Sequence, residues 1–181
     1  MAASIARKKA LGIGITDAVA VLFILAVPAL SHLTSVPFYL LDPMRLAVLG
    51  ALLASRSRVN GLVLAVALPL VSFAISGHPV FPKCLVIAAE LSVNVLLFWW
   101  LASVVKPTSG AGKEASSVRI GLATFLSILL SKAFYYGLKA LVLGAGLMQM
   151  ELVSTALWVQ LVVAVVISAC FALWWRNARF R

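Results

Sequence analysis

The chain has 181 residues, of which 64% are hydrophobic and only 11% charged, and it carries a formal net charge of +10; its mean hydropathy is +1.12. A soluble domain holds about a quarter of its residues as charges, so this composition excludes one and points to a chain built for the bilayer, where about six spans of ~20 residues account for the whole length. The basic residues fall mainly between the apolar runs. They therefore report topology, and nucleic acid is set aside as a partner.

The fold class expected is all-α, a single polytopic membrane domain with about six transmembrane helices at 11–30, 40–54, 61–76, 83–105, 118–143 and 152–175. The first apolar run follows the basic leader Arg7, Lys8 and Lys9. It is longer than a signal core and lacks a small-x-small cleavage site, so it is expected to stay as an uncleaved span. Residues 31–39, with Pro37, form an expected external loop. Asp42-Pro43 opens the short second span, since proline suits a first helical turn, and Ser55-Arg56-Ser57-Arg58 closes it as a basic turn.

The third span is expected to be interrupted at Pro69, and Gly77, His78, Pro79 and Pro82 mark a break, because proline lacks the amide hydrogen and clashes with the preceding turn. Residues 106–117, KPTSGAGKEASS, read as a flexible linker. Gly144-Ala145-Gly146 ends span five, and the last span closes on Trp174-Trp175 and the tail arginines Arg176, Arg179 and Arg181. Arg56, Arg58, Lys106, Lys113 and Arg119 fall on the side of the two termini. The positive-inside rule then places both termini in the cytoplasm.

Polar residues inside apolar spans are costly and are site candidates for that reason, roughly 2–3 kcal/mol for a charge even on the cheapest scale. Lys83, Ile87, Glu90 and Asn94 share one face of span four by their i, i+4 spacing. Asp42 and Arg45 open span two. Lys132, Tyr135, Tyr136 and Lys139 share a face of span five, and Gln149 and Glu151 follow in the last loop. These residues gather at the outer half, the pattern of a pocket opening outward. The ligand-binding set expected is Glu90, Asn94, Lys132, Tyr135, Tyr136, Lys139, Arg45 and Asp42. The competing reading is structural: Glu90 pairs with Lys132 or Lys139, and Asp42 with Arg45 at i, i+3.

Other features carry blander readings. Asp17 lies one or two turns above the inner face and reads as a snorkelling or capping group. His32 and His78 read as ordinary loop histidines, and the tryptophan pairs 99–100 and 174–175 as interface anchors. Cys84 and Cys170 have no CxxC and no histidine at ligand spacing, so neither a disulfide framework nor a metal site is expected. No cofactor is implied. The small pairs Gly14/Ala18 and Ala47/Ala51 allow close helix approach, the first as a partner-docking surface. No GxxxxGK[ST], HExxH or GxSxG occurs, so the chain is read as a non-enzyme that takes any energy for uphill transport from a partner or an ion gradient.

The segments FYLLDPMRLAVLGALL (38–53) and PLVSFAISGHPVFPKCLVIAAELSVNVLLFWW (69–100) resemble an uncharacterised bacterial group within the substrate-binding S components of energy-coupling factor transporters. The rest of the chain resembles them in layout only. The resemblance implies a six-span subunit of a bacterial cytoplasmic membrane that binds a small polar nutrient, a vitamin or its precursor, from outside. It also implies a transmembrane coupling subunit and an ATPase pair as partners. The family's AxxxA docking pattern in span one is replaced here by Gly14-Ile15-Thr16-Asp17-Ala18. The alternative function is a six-span scaffold, similar to the cell-shape proteins of the bacterial elongation machinery.

Overall fold

The computed structural model describes residues 2–34, 38–77, 79–104, 113–148, 152–153 and 155–177, without the side chains of 2–9 and 113–115. His78, Lys106, Gln149, Glu151, Arg179 and Arg181 lie outside the described residues, as do the side chains of Arg7, Lys8, Lys9 and Lys113. The described residues form six α-helices and no strand: α1 (Ala2–Thr34), α2 (Pro43–Ser55), α3 (Arg58–Ser76), α4 (Phe81–Val104), α5 (Lys113–Gly144) and α6 (Leu157–Asn177), with a 3-10 turn at Phe38–Leu41. All but α2 are long and apolar enough to cross a membrane. The chain is an all-α polytopic membrane protein.

Several boundaries differ from the sequence reading. α1 runs through both the basic leader and the first part of the expected loop at 31–39, ending at Thr34. Lysine, arginine and alanine are good helix formers, and charge alone does not stop a helix. Helix α5 likewise takes in residues 113–117 of the expected linker. Pro69 does not interrupt α3, which continues to Ser76 with the proline buried inside it; within an apolar span the backbone groups freed by a proline are re-satisfied by neighbours, so the helix continues through it. The last helix begins at Leu157, five residues later than the expected 152.

Two compact units make up the chain, Met1–Val95 and Leu96–Arg181. In the first, α2 packs on α1 and α3. Its apolar residues Val48, Leu49 and Leu52 are buried together with Leu64, Ala65 and Leu68 of α3 and Leu91 and Val95 of α4. Helices in lipid gain nothing from leaving water and associate through close packing of small residues. Gly61 shows this: a Cβ there would lie 2.9 Å from Leu52 Cδ1 and 3.2 Å from Val95 Cγ1. Ala47 and Ala51 of α2 face α1 across an apolar cleft of about 290 Å³, so this small pair serves internal packing.

The α2–α3 turn follows from its residues. Arg56 takes the left-handed conformation (φ 51°) and donates its N–H to the Leu52 carbonyl at 2.9 Å, closing α2, and the Ser57 hydroxyl accepts the Asn60 N–H at 3.3 Å, opening α3. In the second unit α5 and α6 are antiparallel: Tyr136 meets Gln160 near one end, Gly121 lies against Ala172 near the other, and Trp175 donates to the Ser116 hydroxyl at 3.1 Å. Buried Thr124, Ser127, Ser131 and Ser168 return their hydroxyls to carbonyls three or four residues back. That satisfies each donor within its own helix.

Candidate functional site

The expected ligand-binding residues fall into two groups, one in each unit. In the first unit the group is built on the start of α2. Asp42 sits at its N-cap with φ 51° and ψ 57°, directly before Pro43. A non-glycine residue in that conformation costs roughly 1–2 kcal/mol, and the site before a proline is already restricted. Its carboxylate makes no capping bond to the helix. It turns instead to Arg45, whose Nε lies 3.0 Å from Asp42 Oδ2.

Arg45 is fully buried and its Nη2 meets Glu90 Oε1 of α4, so two carboxylates from two helices converge on one guanidinium. Arginine suits this role because its planar fork presents donors in several directions at once. Asn94, one turn beyond Glu90 on the same face, is fully buried as well. The Asp42–Arg45 pair was legible from its i, i+3 spacing. Glu90, for which the competing structural reading offered Lys132 or Lys139, forms a salt bridge with Arg45.

Asp17 is a further correction. It accepts a hydrogen bond from Asn60 Nδ2 at 2.8 Å, across from α1 to α3, and so joins two helices where snorkelling or capping was expected. Gly14 and Ala18 on the same helix are exposed, with open space around Gly14.

In the second unit, Lys132, Tyr135, Tyr136 and Lys139 stand together on α5 as their spacing requires. The buried Tyr135 ring lies 5.4 Å from Lys132 Nζ and 5.8 Å from Lys139 Nζ, within cation–π range of both, and packs edge-on against Tyr136 with ring centroids 5.3 Å apart. Lys139 is buried and donates to the Leu152 carbonyl at 2.9 Å, tying the α5–α6 connection down. Lys132 and Tyr136 instead line a cleft of about 330 Å³ between α5 and α6, together with Gln160 and Trp158. That volume is at the lower end of small-molecule sites, and its few convergent polar groups on apolar walls are what such sites need.

Gln160 was missed in the sequence, although it is the one amide inside the apolar run 157–175 and intramembrane polar residues carry that signal. Its Nε2 donates to Tyr136 Oη and, at 2.8 Å, to the Thr155 carbonyl. Chemically the cleft offers an ammonium, a phenol and an amide within one apolar enclosure. Donors and an acceptor of this kind suit an anionic or zwitterionic head group chemically.

The sequence matches no protein-family model, and neither a curated protein nor a solved structure matches it.

Proposed function

We propose that the chain is a substrate-binding membrane subunit of a bacterial cytoplasmic membrane that takes up a small carboxylate-bearing or zwitterionic nutrient, such as a vitamin or its precursor. The observation that carries this reading is the α5/α6 cleft, where Lys132, Tyr136 and Gln160 converge on apolar walls. Structural stability alone is better served by apolar packing than by polar groups in lipid. The chain holds no GxxxxGK[ST] loop, so energy for uphill movement comes from a partner or an ion gradient; in the manner of the energy-coupling factor S components that the segments 38–53 and 69–100 resemble, we take the partners to be a transmembrane coupling subunit and an ATPase pair.

Native mass spectrometry of the chain purified from its own host tests this directly. A retained small acid or zwitterion that is lost in Lys132→Ala, together with co-purified ATPases, is the expected result. An empty chain that brings down cell-wall synthesis or cytoskeletal proteins overturns it in favour of the scaffold.

A further inference from the structure

The α5/α6 cleft is polar at one end and apolar at the other. Tyr136 and Gln160 face each other near the start of α6, with Lys132 one turn further along α5. Because the helices are antiparallel, Ile128 and Ala164 lie beyond them, and the eight residues from Tyr136 to Ile128 span about 12 Å of helix. That far end is lined by Ile128, Leu129 and Ala164, with no polar side chain.

Hydrogen bonding at the polar end specifies the head group. The Thr155 carbonyl can only accept, so the Gln160 atom 2.8 Å from it is the amide nitrogen. That same nitrogen donates to Tyr136 Oη. Among the described residues no acceptor takes the Tyr136 hydroxyl hydrogen and no donor takes Gln160 Oε1. Lys132 and Tyr136 therefore offer donors beside one acceptor from Gln160, which matches a carboxylate bearing a neighbouring hydroxyl or ammonium.

We propose that the ligand is a single-chain amphiphile: a 2-hydroxy- or 2-amino-carboxylate head held by Lys132, Tyr136 and Gln160, with its apolar chain lying along Leu161 and Leu129 toward Ala164. This rests on the reading of the cleft as a ligand site given above. A cleft of about 330 Å³ is at the lower end of small-molecule sites, which suits one chain of medium length and not a two-chain lipid.

The test is calorimetric titration of the full chain in amphipol with 2-hydroxy acids of four, six, eight and twelve carbons. Affinity rises about fourfold per methylene, the factor equivalent to ~0.8 kcal/mol, up to the eight-carbon acid and then levels. Lys132→Ala weakens the whole series by tenfold or more, and Leu161→Trp, which narrows the path toward Ala164, flattens the dependence on chain length. Leu129→Trp does the same from the other helix, with unchanged circular dichroism as the check that both variants fold.

If all four acids bind equally and each depends on Lys132, the amphiphile is wrong and the ligand-site reading stands. If no binding depends on Lys132, both fall. A gain that continues past eight carbons and ignores both tryptophan variants is partition into apolar phase and overturns the proposal. So does a phospholipid retained through purification whose removal alone opens the cleft to the acids.

Discussion

Arg45 holds two acids at once, and this defines what a single substitution does at its site. Removing the guanidinium takes the Arg45 salt bridge away from the buried Glu90, and breaking a buried pair costs about 3–5 kcal/mol. Arg45→Met is therefore expected to lower the unfolding midpoint in mild detergent sharply, whereas the triple variant Asp42→Asn/Arg45→Met/Glu90→Gln recovers most of that loss. A triple variant no more stable than the single one rules out uncompensated charge as the cause. Asp17→Ala acts by the same logic on a smaller scale. It leaves the Asn60 amide without the carboxylate that accepts from it at 2.8 Å, a loss of about 1–3 kcal/mol for a buried donor. Asn60→Leu on top of Asp17→Ala is expected to return part of that stability, and a double variant worse than the sum of the singles contradicts the pairing. Which residues were candidates was legible at this scale, because charges and amides stand out in an apolar run. Apart from the i, i+3 pair Asp42–Arg45, their partners were not: Arg45 and Glu90 are 45 positions apart, and no spacing rule reaches across helices.

Helices α2, α3 and α4 meet at Gly61, and there the packing leaves no room. An added methyl 2.9 Å from Leu52 Cδ1 has to push the end of that leucine aside, an overpacking cost of about 1–3 kcal/mol set against a gain of about 1 kcal/mol for alanine over glycine inside a helix. Gly61→Ala is expected to destabilise by the difference, and Gly61→Ala with Leu52→Ala by less than the two single effects added, a coupling that a double-mutant cycle of unfolding midpoints detects. Strict additivity contradicts the close approach. The element boundaries show which sequence signals are dependable. Asp42-Pro43 and Ser55–Arg58 marked α2 and its turn well because backbone chemistry decides both. Pro69 and the stretch 113–117 misled, because proline is tolerated in a lipid-embedded helix and polar helix formers were read as linker.

Across the whole molecule, the short helix α2 controls the topology. Its 13 residues extend about 20 Å, less than the ~30 Å of a typical hydrocarbon core, so a crossing here requires local thinning of the bilayer or help from its neighbours. The basic residues Arg56 and Arg58 at its end predict that it does cross. In a Cys84→Ala/Cys170→Ala background, single cysteines at Leu33 and Ser76 are expected to react with an impermeant maleimide from outside, and those at Arg58 and Arg176 only after permeabilisation. Labelling of Arg58 and Leu33 from the same side shows that α2 does not cross and reverses every later loop.

The amino-acid sequence by itself determined that this is an all-α membrane protein, roughly where its helices run, and which few polar residues sit in costly places, because hydrophobicity, proline and charge act locally along the chain. Tertiary structure alone decided that Arg45 serves Glu90 as well as Asp42, that Asp17 belongs to Asn60, and that Gln160 joins Lys132 and Tyr136 in a cleft. Those choices depend on how helices distant in sequence pack, and only packing sets which side chains are within reach.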